Sequence, residues 1–542
     1  MMTQQIPILY GTETGNAEYC ADLLADRLRD EGFAAKSTDM EDFDPQDLGN
    51  QAMVIVITST YGNGDAPSNA EELLEHLQNE DLDLAHLRFA VCGLGDTSFS
   101  HFAQCGKDFE AAFLRCKAKP MFDRVDCDAH FEPEFEAFAD TAVAYLTTHK
   151  GALDNTPAND EPVAAANDET HPAKGWSRER PFPAKVIEKR LLSKPGSNKE
   201  TMHYTFDLTD SGLTFCVGDC FGVHPTNRGV DVEALIAALG VGGDQEVTWQ
   251  GEACSLRQAL EWACLQQVTL ALVQLLAAHD PAGAAAKAAA AGDEAVTRYI
   301  ETSHVVDALT GNACSGLEAT ALLKTLRKLQ PRLYSVATSP TRTPEQVGFT
   351  IETLRYERNG RTVHGVASCW LADRVTEGET VGVYPVKNQS FHFPDDDRPV
   401  IMIGPGTGVA PFRGYLEELE ATGQRKPTWL FFGHQHQRFD SLYEDDFERW
   451  AQGGVLSRAD YAWSRDQDHK IYVQDRLREQ GEAIWSWLER DAVVFVCGDA
   501  QGMAPGVAAA FAEIAQTHGG QADGAAYVAS LTEQGRYKTD VY

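Results

Sequence analysis

Three short, almost uninterrupted apolar runs in the N-terminal part of the chain restrict its fold more than any other feature. The runs cover residues 6–10, 52–58 and 87–95, and apolar side chains recur at helical spacing between the first two. Continuous apolar content is typical of strands that are covered on both faces of a parallel sheet. The pattern predicts a doubly wound α/β domain over residues 1–149.

Changes in composition and in apolar periodicity divide the rest of the chain into three further segments. Residues 150–175 are rich in Pro, Ala, Asn and acidic residues and lack apolar periodicity, which is typical of a flexible linker. Residues 176–394 alternate apolar and polar side chains and predict an antiparallel β-barrel, interrupted at about 231–327 by a helical, Ala-rich insertion. Strand, Gly turn and helix patterns return over 395–542 and predict a second parallel α/β domain.

The charge of the chain disfavours two classes of partner. Its 81 acidic and 46 basic side chains give a net charge of −35, which fits neither nucleic acid nor an anionic membrane surface. Residues 1–150 alone hold 28 acidic and 10 basic side chains. This local excess either serves solubility or steers a positively charged partner.

Apolar stretches, the N-terminal sequence and the cysteines indicate the cellular compartment of the protein. The chain has no apolar stretch of the roughly 18 residues that suggest a membrane span, and its first residues show no secretory signal. The twelve cysteines include no CxxC pair, so we expect reduced thiols in a cytoplasmic protein and no metal centre.

The first predicted strand ends in a loop, residues 11–17 (GTETGNA), that leads into a helix. Its hydroxyls and backbone N–H groups can bind an anion, or the loop can simply cap the helix. It lacks the lysine of a triphosphate-binding loop, so a monophosphate fits better. Two further loops, 59–67 and 94–103, offer Tyr61 and Phe99, which either pack in the core or enclose a flat heterocycle.

Together the three loops resemble the FMN site of flavodoxin-like domains, especially those fused into NADPH-dependent diflavin reductases. The resemblance implies FMN as a cofactor. It places around FMN the residues Thr12, Glu13, Thr14, Gly15, Asn16, Ala17, Ser59, Thr60, Tyr61, Gly62, Leu94, Gly95, Asp96, Phe99 and Phe102.

A second candidate site begins at RLYSVATS, residues 332–339. Arg332 can pair with a diphosphate, and Tyr334 and Ser335 can reach a flavin ring, unless the segment is an ordinary barrel strand. Small residues at 365–368 begin a predicted helix, where backbone N–H groups can approach phosphate. The set resembles the FAD site of the ferredoxin–NADP reductase family. The residues implied are Arg332, Leu333, Tyr334, Ser335, Thr350, Ile351, Glu352, Tyr356, Gly365, Val366, Ala367 and Ser368.

A third candidate site has a Gly-rich turn at 403–408, which permits close backbone approach to a pyrophosphate. Farther along, Ser464, Arg465 and Lys470 cluster two positive charges. Such a cluster suits a ribose 2′-phosphate, and hence NADPH rather than NADH, or else it is an exposed basic turn. With the contacts that the resemblance adds, the predicted NADPH residues are Gly406, Thr407, Ser464, Arg465, Lys470, Tyr472 and Gln474.

The C-terminal sequence resembles the aromatic lid of the diflavin reductases, in which the last aromatic residue covers the FAD ring. The resemblance assigns that role to Tyr542 and places Ser335, Cys497 and Asp540 around the site of hydride transfer. On sequence alone, a terminal tyrosine is usually frayed. Gly506 stands where the sulfite reductase flavoproteins have an aspartate, so we expect one nucleotide contact to be lost.

The resemblance covers nearly the whole chain and is closest to the flavoprotein (alpha) subunit of assimilatory NADPH–sulfite reductase. It implies that electrons pass from NADPH to FAD, then to FMN, and then to a haemoprotein. The expected acceptor is the sulfite reductase haemoprotein (beta) subunit, docked on the acidic first domain. The alternatives are a general NADPH–haemoprotein (cytochrome) reductase and a non-catalytic electron-carrier module.

Overall fold

The computed structural model describes residues 5–13, 15–60, 64–97, 101–129, 131–153, 176–178, 180–249, 252–358 and 361–542. The chain forms two compact units: Met1–Pro172 with Gly229–Gln330, and Ala173–Arg228 with Pro331–Tyr542. From residue 154 onward, the segment predicted as a linker lies outside the described residues. Among the described helices, none has the length and apolarity that would let it cross a bilayer.

The first unit opens with a doubly wound parallel sheet of strand order β2-β1-β3-β4-β5, in which β6 also pairs with β4. Its elements are β1 (Ile6–Gly11), α1 (Asn16–Asp30), β2 (Ala35–Asp39), β3 (Met53–Ser59), α2 (Glu71–Asn79), β4 (Arg88–Leu94), α3 (Gln104–Arg115), β5 (Lys119–Pro120), β6 (Val125–Cys127) and α4 (Glu132–Leu153). One apolar core joins the sheet to α1 and α4, and another joins its opposite face to α2 and α3. The predicted fold of this region is therefore confirmed.

The next three strands belong to the second unit, and the chain then returns to the first unit. The strands are β7 (Phe182–Leu191), β8 (Thr201–Asp207) and β9 (Cys220–Val223). The predicted insertion is mostly helical and has an apolar core of its own. Its elements are α5 (Gly229–Leu239), β10 (Glu246–Trp249), β11 (Glu252–Ser255), α6 (Leu256–Trp262), α7 (Leu270–His279), α8 (Ala284–Ala291), α9 (Asp293–Thr302), α10 (Val305–Thr310) and α11 (Ala319–Leu323).

The second unit contains an antiparallel six-stranded sheet of order β12-β9-β16-β7-β8-β13. Its remaining elements are β12 (Arg332–Ser335), β13 (Gln346–Glu352), the hairpin β14 (Arg355–Arg358) and β15 (Arg361–His364), α12 (Val366–Asp373) and β16 (Thr380–Val386). Alternate side chains of these strands, such as Phe206, Phe221 and Phe349, fill one core. The sheet is antiparallel throughout, as the sequence predicts for this region.

A parallel sheet of order β19-β18-β17-β20-β21 completes the second unit. Its elements are β17 (Val400–Ile403), α13 (Ala410–Thr422), β18 (Thr428–His434), α14 (Gln437–Asp440), α15 (Glu444–Gln452), β19 (Arg458–Trp463), α16 (Val473–Glu479), α17 (Gly481–Leu488), β20 (Val493–Gly498), α18 (Met503–Thr517), α19 (Gly524–Glu533) and β21 (Tyr537–Val541). β21 pairs in parallel with β20, with Asp540 opposite Cys497. The C-terminal segment is thus an ordered edge strand, although terminal sequence alone suggests fraying.

Candidate active site

The loop between β1 and α1 is held in a shape that suits an anion. The Thr12 hydroxyl accepts a hydrogen bond from the Gly15 N–H at 2.9 Å, and the Thr12 N–H donates to Asn69 Oδ1 at 2.9 Å. Gly15 precedes α1 with φ +81°, a left-handed conformation that favours glycine. The N–H groups of the first helical turn have no acceptors within the helix. This donor set, which includes no lysine, fits a phosphate monoester such as that of FMN.

Hydrogen bonds tie the second and third predicted FMN loops to this cradle. The Ser59 hydroxyl donates to the Gly11 carbonyl at 3.2 Å, and the Thr60 N–H donates to the Leu94 carbonyl at 3.0 Å. Gly95 admits no larger residue, because an added Cβ would lie 2.6 Å from the backbone nitrogen of Ala103. The structure therefore gathers the described parts of the three loops at the carboxyl ends of β1, β3 and β4.

The other predicted FMN residues fall into three groups. Asp96 and Phe102 are half-buried in the third loop, and Ala17 is buried in α1. Glu13 and Asn16 already have partners, because their side-chain oxygens accept hydrogen bonds from the Ser68 N–H and from Arg327. The predicted residues Thr14, Tyr61, Gly62 and Phe99 lie outside the described residues.

The N-terminus of α12 provides a second anion cradle, in the antiparallel domain. Gly365 precedes the helix, and an added Cβ there would lie 2.6 Å from the Ser368 hydroxyl oxygen. That oxygen accepts a hydrogen bond from the Leu354 N–H at 3.1 Å. Val366 is half-buried and Ala367 is buried, so small side chains leave the first-turn N–H groups accessible. The cradle fits the diphosphate of FAD.

Strand β12 presents the predicted flavin-binding side chains at its surface. Arg332 is exposed and has no acidic partner among the residues that the structure describes, so it is available to a diphosphate. Leu333 and Tyr334 are half-buried, and burial raises the pKa of the Tyr334 phenol, which therefore stays neutral. Tyr356, on β14, is 43% exposed. These positions fit a flat ring and its phosphate chain.

Two predicted FAD residues on β13 face away from a surface site. The Thr350 hydroxyl lies 2.6 Å from the Tyr443 hydroxyl in a buried network. The Ile351 side chain is part of the apolar core of the antiparallel domain. Any contact of these residues with a bound ring would therefore involve the backbone. Glu352 is half-buried and forms an ion pair with Lys199.

The residues predicted around hydride transfer meet where β12, β20 and β21 come together. The Ser335 hydroxyl donates to Asp540 Oδ2 at 2.8 Å, and Cys497 Sγ lies 3.7 Å from the same oxygen. Beside them, Tyr542 donates its N–H to the Gly498 carbonyl at 3.0 Å, and its phenol oxygen lies 2.8 Å from the Thr407 hydroxyl. The four side chains predicted as catalytic thus belong to one local cluster.

Burial controls the protonation of this cluster. It raises the pKa of the Asp540 carboxyl, although hydrogen bonds from Ser335 and Cys497 oppose the shift. Burial also raises the pKa of the Cys497 thiol, and the neighbouring Asp540 carboxylate raises it further. Cys497 is therefore a neutral thiol and not a nucleophile. The cluster offers polarity and positioning, without a general acid–base triad.

Two glycines of the turn after β17, Gly404 and Gly408, are packed too tightly to be replaced by a larger residue. A Cβ at Gly404 would lie 2.3 Å from the Gly408 carbonyl oxygen, and one at Gly408 would lie 2.1 Å from the Cys497 carbonyl oxygen. At Gly406, φ is +58° with open space around the residue. The turn therefore brings its backbone close to β20 and leaves Gly406 and Thr407 at the surface of the site, as a pyrophosphate requires.

Replacement of Gly408 by alanine is expected to lower the free energy of unfolding by about 3 kcal/mol, because the methyl group would meet backbone atoms that cannot move aside. Chemical denaturation measures the loss. The control is Gly242→Ala, where an added Cβ would meet no atom within 4 Å. Equal stability of the two variants would contradict the packing argument.

A cavity of about 500 Å³ opens beside this turn, and it contains several of the predicted NADPH residues. Gly406, Ser464, Tyr472 and Gln474 line it. The Ser464 N–H donates to the His434 carbonyl at 2.9 Å, which fixes the start of the basic loop. The volume and the mixed polar lining suit a nucleotide.

Arg465 and Lys470 are exposed in the loop that begins at Ser464. Neither forms an ion pair with any part of the chain that the structure describes. In a protein with 81 acidic side chains, two cations without partners are available for an external anion. This arrangement favours a ribose 2′-phosphate.

Sequence reasoning missed several residues at these sites. Asn69 supports the first loop, and Cys220 lies 3.8 Å from the Ser335 hydroxyl oxygen. His434, Gln435 and Asp499 line the nucleotide cavity. Asn69 and Cys220 lie far in sequence from the residues that they support. His434 is the last residue of β18 and Gln435 follows it, and Asp499 follows the predicted Cys497 by two residues.

Family models match three consecutive regions of the chain. The flavodoxin model matches residues 8–140, the FAD binding domain model matches residues 175–370, and the oxidoreductase NAD-binding domain model matches residues 402–509. Their order agrees with the order of the three cradles. The chain thus has one domain for each of FMN, FAD and NADPH, which is the architecture of an NADPH-dependent diflavin reductase.

Similar proteins cover almost the full length of the chain. The sulfite reductase [NADPH] flavoprotein alpha-component of Shewanella sp. (strain MR-7) is 37% identical over 552 residues, which cover 99% of this chain and 90% of that protein. The protein of the same name from Bacillus subtilis (strain 168) is 36% identical, with 100% and 90% covered. That from Neisseria meningitidis serogroup B is 35% identical, with 99% and 89% covered. The chain therefore belongs to the family of sulfite reductase [NADPH] flavoprotein alpha-components.

Proposed function

We propose that this protein oxidises NADPH and delivers the electrons, through FAD and FMN, to the haemoprotein component of a sulfite reductase, which reduces sulfite to sulfide. The observation that carries the proposal is the cluster of Ser335, Cys497 and Asp540. It joins β12, which presents the flavin-binding side chains, to β20, which lies beside the nucleotide turn, and to β21, which pairs with β20. The full-length similarity to sulfite reductase flavoproteins supports the choice of acceptor.

Flavins supply the chemistry that connects NADPH, a two-electron donor, to a haem iron, which accepts one electron at a time. The protein supplies position and exclusion of water. Cys497 is fully buried and Asp540 is 9% exposed, so the polar cluster acts in a medium of low dielectric constant. The Ser335 hydroxyl is oriented by its hydrogen bond to Asp540, which leaves its oxygen as an acceptor toward the reacting edge.

The acidic flavodoxin-like domain is the docking surface that we propose for the haemoprotein. Residues 1–150 carry 28 acidic and 10 basic side chains, a difference of −18. Such a field attracts a basic surface and orients the encounter. We also propose that the protein works in the cytoplasm, since its twelve cysteines, all of them among the described residues, form no disulfide.

The test uses the full chain loaded with FMN and FAD. We expect one molecule of each flavin per chain, bleaching by NADPH without oxygen, and sulfide production when sulfite and the haemoprotein component of a bacterial NADPH–sulfite reductase are added. Raised ionic strength is expected to slow the sulfide-forming step more than NADPH-dependent bleaching, because it screens docking.

Three outcomes would contradict the proposal, and two of them would favour another function. Reduction of soluble cytochromes without sulfide production would favour a general haemoprotein reductase. Flavin binding without bleaching by NADPH would favour an electron-carrier module. A single flavin per chain after reconstitution with both would contradict the two-flavin pathway itself.

A further inference from the structure

Three side chains with metal-binding atoms meet at a turn of the second unit, and none of them belongs to the residues predicted for the nucleotide sites. The Cys216 sulfur, a carboxylate oxygen of Asp219 and a ring nitrogen of His392 all lie within 4.8 Å of one another. His392 Nε2 is 2.6 Å from Asp219 Oδ1. In a tetrahedral zinc site, the ligand atoms are separated from each other by roughly 3.3–3.6 Å. Small rotations of these side chains would therefore bring all three within range of one ion.

The backbone, and not side-chain length, brings the cluster together. The chain turns between Cys216 and Asp219, since the Asp219 N–H donates to the Cys216 carbonyl at 3.1 Å. Within this turn, Gly218 has φ +109°, and an added Cβ there would lie 2.7 Å from the Phe391 carbonyl oxygen. The turn thus packs directly against the residue before His392. Asp219 and His392, which are 173 positions apart in sequence, are held side by side.

Asp219 is the buried member of the cluster and is already oriented. Its side chain is 5% exposed. The Cys216 N–H donates to its Oδ2 at 2.8 Å, and the Asn388 N–H donates to its Oδ1 at 3.0 Å. The carboxylate therefore keeps two backbone donors when His392 turns its ring nitrogen from Asp219 to a metal. Cys216 is exposed and the His392 side chain is 33% exposed, so an ion can enter from solvent.

The charge around Cys216 favours a cation. Burial raises the pKa of its thiol, and the carboxylates of Asp219, Glu418 and Asp395 raise it further, whereas Lys387 opposes them. The surroundings of the sulfur are thus predominantly acidic. A negative local field attracts a divalent cation and raises its concentration at the cluster.

We propose that Cys216, Asp219 and His392 bind one Zn²⁺ ion, with the fourth coordination position left to water. A thiolate, an imidazole nitrogen and a carboxylate form a donor set that suits zinc, whereas Mg²⁺ and Ca²⁺ prefer oxygen ligands alone. On binding, the thiol gives its proton to solvent and its sulfur bonds to the metal. The ion would fasten the turn before β9 to the segment before β17, and so link the antiparallel sheet to the parallel sheet.

Isothermal titration of the flavin-loaded full chain with ZnCl₂, after removal of bound metal with a chelator, tests the proposal. We expect one site with a dissociation constant of about 10 μM or tighter, weaker than a structural site with four protein ligands. Cys216→Ser and His392→Ala should each weaken it by about 100-fold or more, because loss of a group that merely supports a metal ligand already costs about 10- to 100-fold.

Cobalt provides a second readout, which reports the sulfur ligand itself. Co²⁺ added in place of zinc should produce a sulfur-to-cobalt charge-transfer band in the difference spectrum of the wild type. Cys216→Ser should abolish this band. The matched control is Cys254→Ser, which removes a partly exposed thiol outside the cluster and should leave both the zinc affinity and the cobalt band unchanged.

The inference is separable from the proposed function, since neither readout involves NADPH or electron transfer. Because Cys216 is exposed, its replacement by serine should leave the melting temperature of the metal-free protein unchanged, which shows that the variant is folded. The absence of a zinc site of the stated affinity in the wild type would overturn the inference. An unchanged affinity in either cluster variant would do the same, as would the absence of the cobalt band in the wild type.

Discussion

Replacement of Asp540 by alanine is expected to slow flavin reduction by NADPH by about 100- to 1,000-fold, the usual effect of removing one preorganised polar group from a buried reaction site. Asp540 fixes the Ser335 hydroxyl at 2.8 Å, and without the carboxylate that hydroxyl loses its orientation. Anaerobic stopped-flow absorbance measures the rate. FMN content should stay unchanged, because the FMN cradle belongs to the other compact unit.

The pH dependence of flavin reduction separates this role from a merely structural one. Burial raises the pKa of Asp540, so the carboxylate that accepts from Ser335 is lost at a higher pH than for an exposed aspartate. The rate should therefore fall as the pH decreases through this raised pKa, and Asp540→Asn should remove that dependence. A variant that kept the wild-type pH profile would contradict the assignment.

Stability provides the control for the same variant. Because the folded chain holds the Asp540 proton more tightly than the unfolded chain does, ionisation of Asp540 destabilises the fold as the pH rises above the unfolded pKa of about 3.9. Asp540→Asn removes this penalty. We expect its melting temperature at neutral pH to be no lower than that of the wild type, so a slow Asp540→Asn enzyme cannot be explained by unfolding.

Removal of both Arg465 and Lys470 is expected to lower the preference for NADPH over NADH by about 100-fold, because in the proposed site each would supply a charge-assisted interaction to the 2′-phosphate. The two cations have no partners among the described residues, so their loss leaves no unpaired acid behind. The affinity for NADH, which lacks the phosphate, should change little.

Steady-state kinetics with both nucleotides measures this preference, and its salt dependence provides a second readout. The NADPH affinity of the wild type should fall as ionic strength rises, and that of the double variant should fall less. Arg490→Ala is the matched control, since it removes an exposed cation outside the cavity. An unchanged NADPH preference in the double variant would assign the 2′-phosphate to other residues.

Strong local patterns made the main features of the fold predictable. The apolar runs at 6–10, 52–58 and 87–95 form β1, β3 and β4, whose positions differ from the runs by at most a residue at each end. A strand that is buried on both faces needs apolar side chains at nearly every position, so its sequence alone identifies it. The Ala-rich stretch at 282–292 forms α8, as its helix propensity predicts.

Elements that depend on distant partners were harder to predict. β2 has the sequence AKSTD, which lacks an apolar run because it lies at the edge of its sheet. Residues 350–356, which include four of the predicted FAD residues, are divided between β13 and β14, a break that depends on the separate hairpin of β14 with β15. The position of an edge strand and the start of a hairpin depend on tertiary contacts, which local strand propensity does not reveal.

At the candidate sites too, features set by local sequence were predictable and features set by distant contacts were not. Loops that follow strands, such as the one around Thr12 and the turn around Gly408, were identified because strand ends converge at one edge of a parallel sheet. Buried Thr350 and Ile351 show what sequence could not reveal, namely which face of a strand meets the ligand. Gln435 was missed because a lone glutamine has no motif, and its place in the nucleotide cavity is visible only in three dimensions.

The pairing of β9 with β12 has a consequence for how the protein folds during synthesis. Cys220 and Ser335 become neighbours although 115 positions separate them. Closing a loop of that length costs about 4 kcal/mol of chain entropy before the strand contacts compensate. The helical insertion, whose contacts are local, can form first. On the ribosome, β9 has no partner until β12 emerges, and the open edges of β8 and β7 are covered only when β13 and β16 follow. In that interval a chaperone would do most to prevent aggregation.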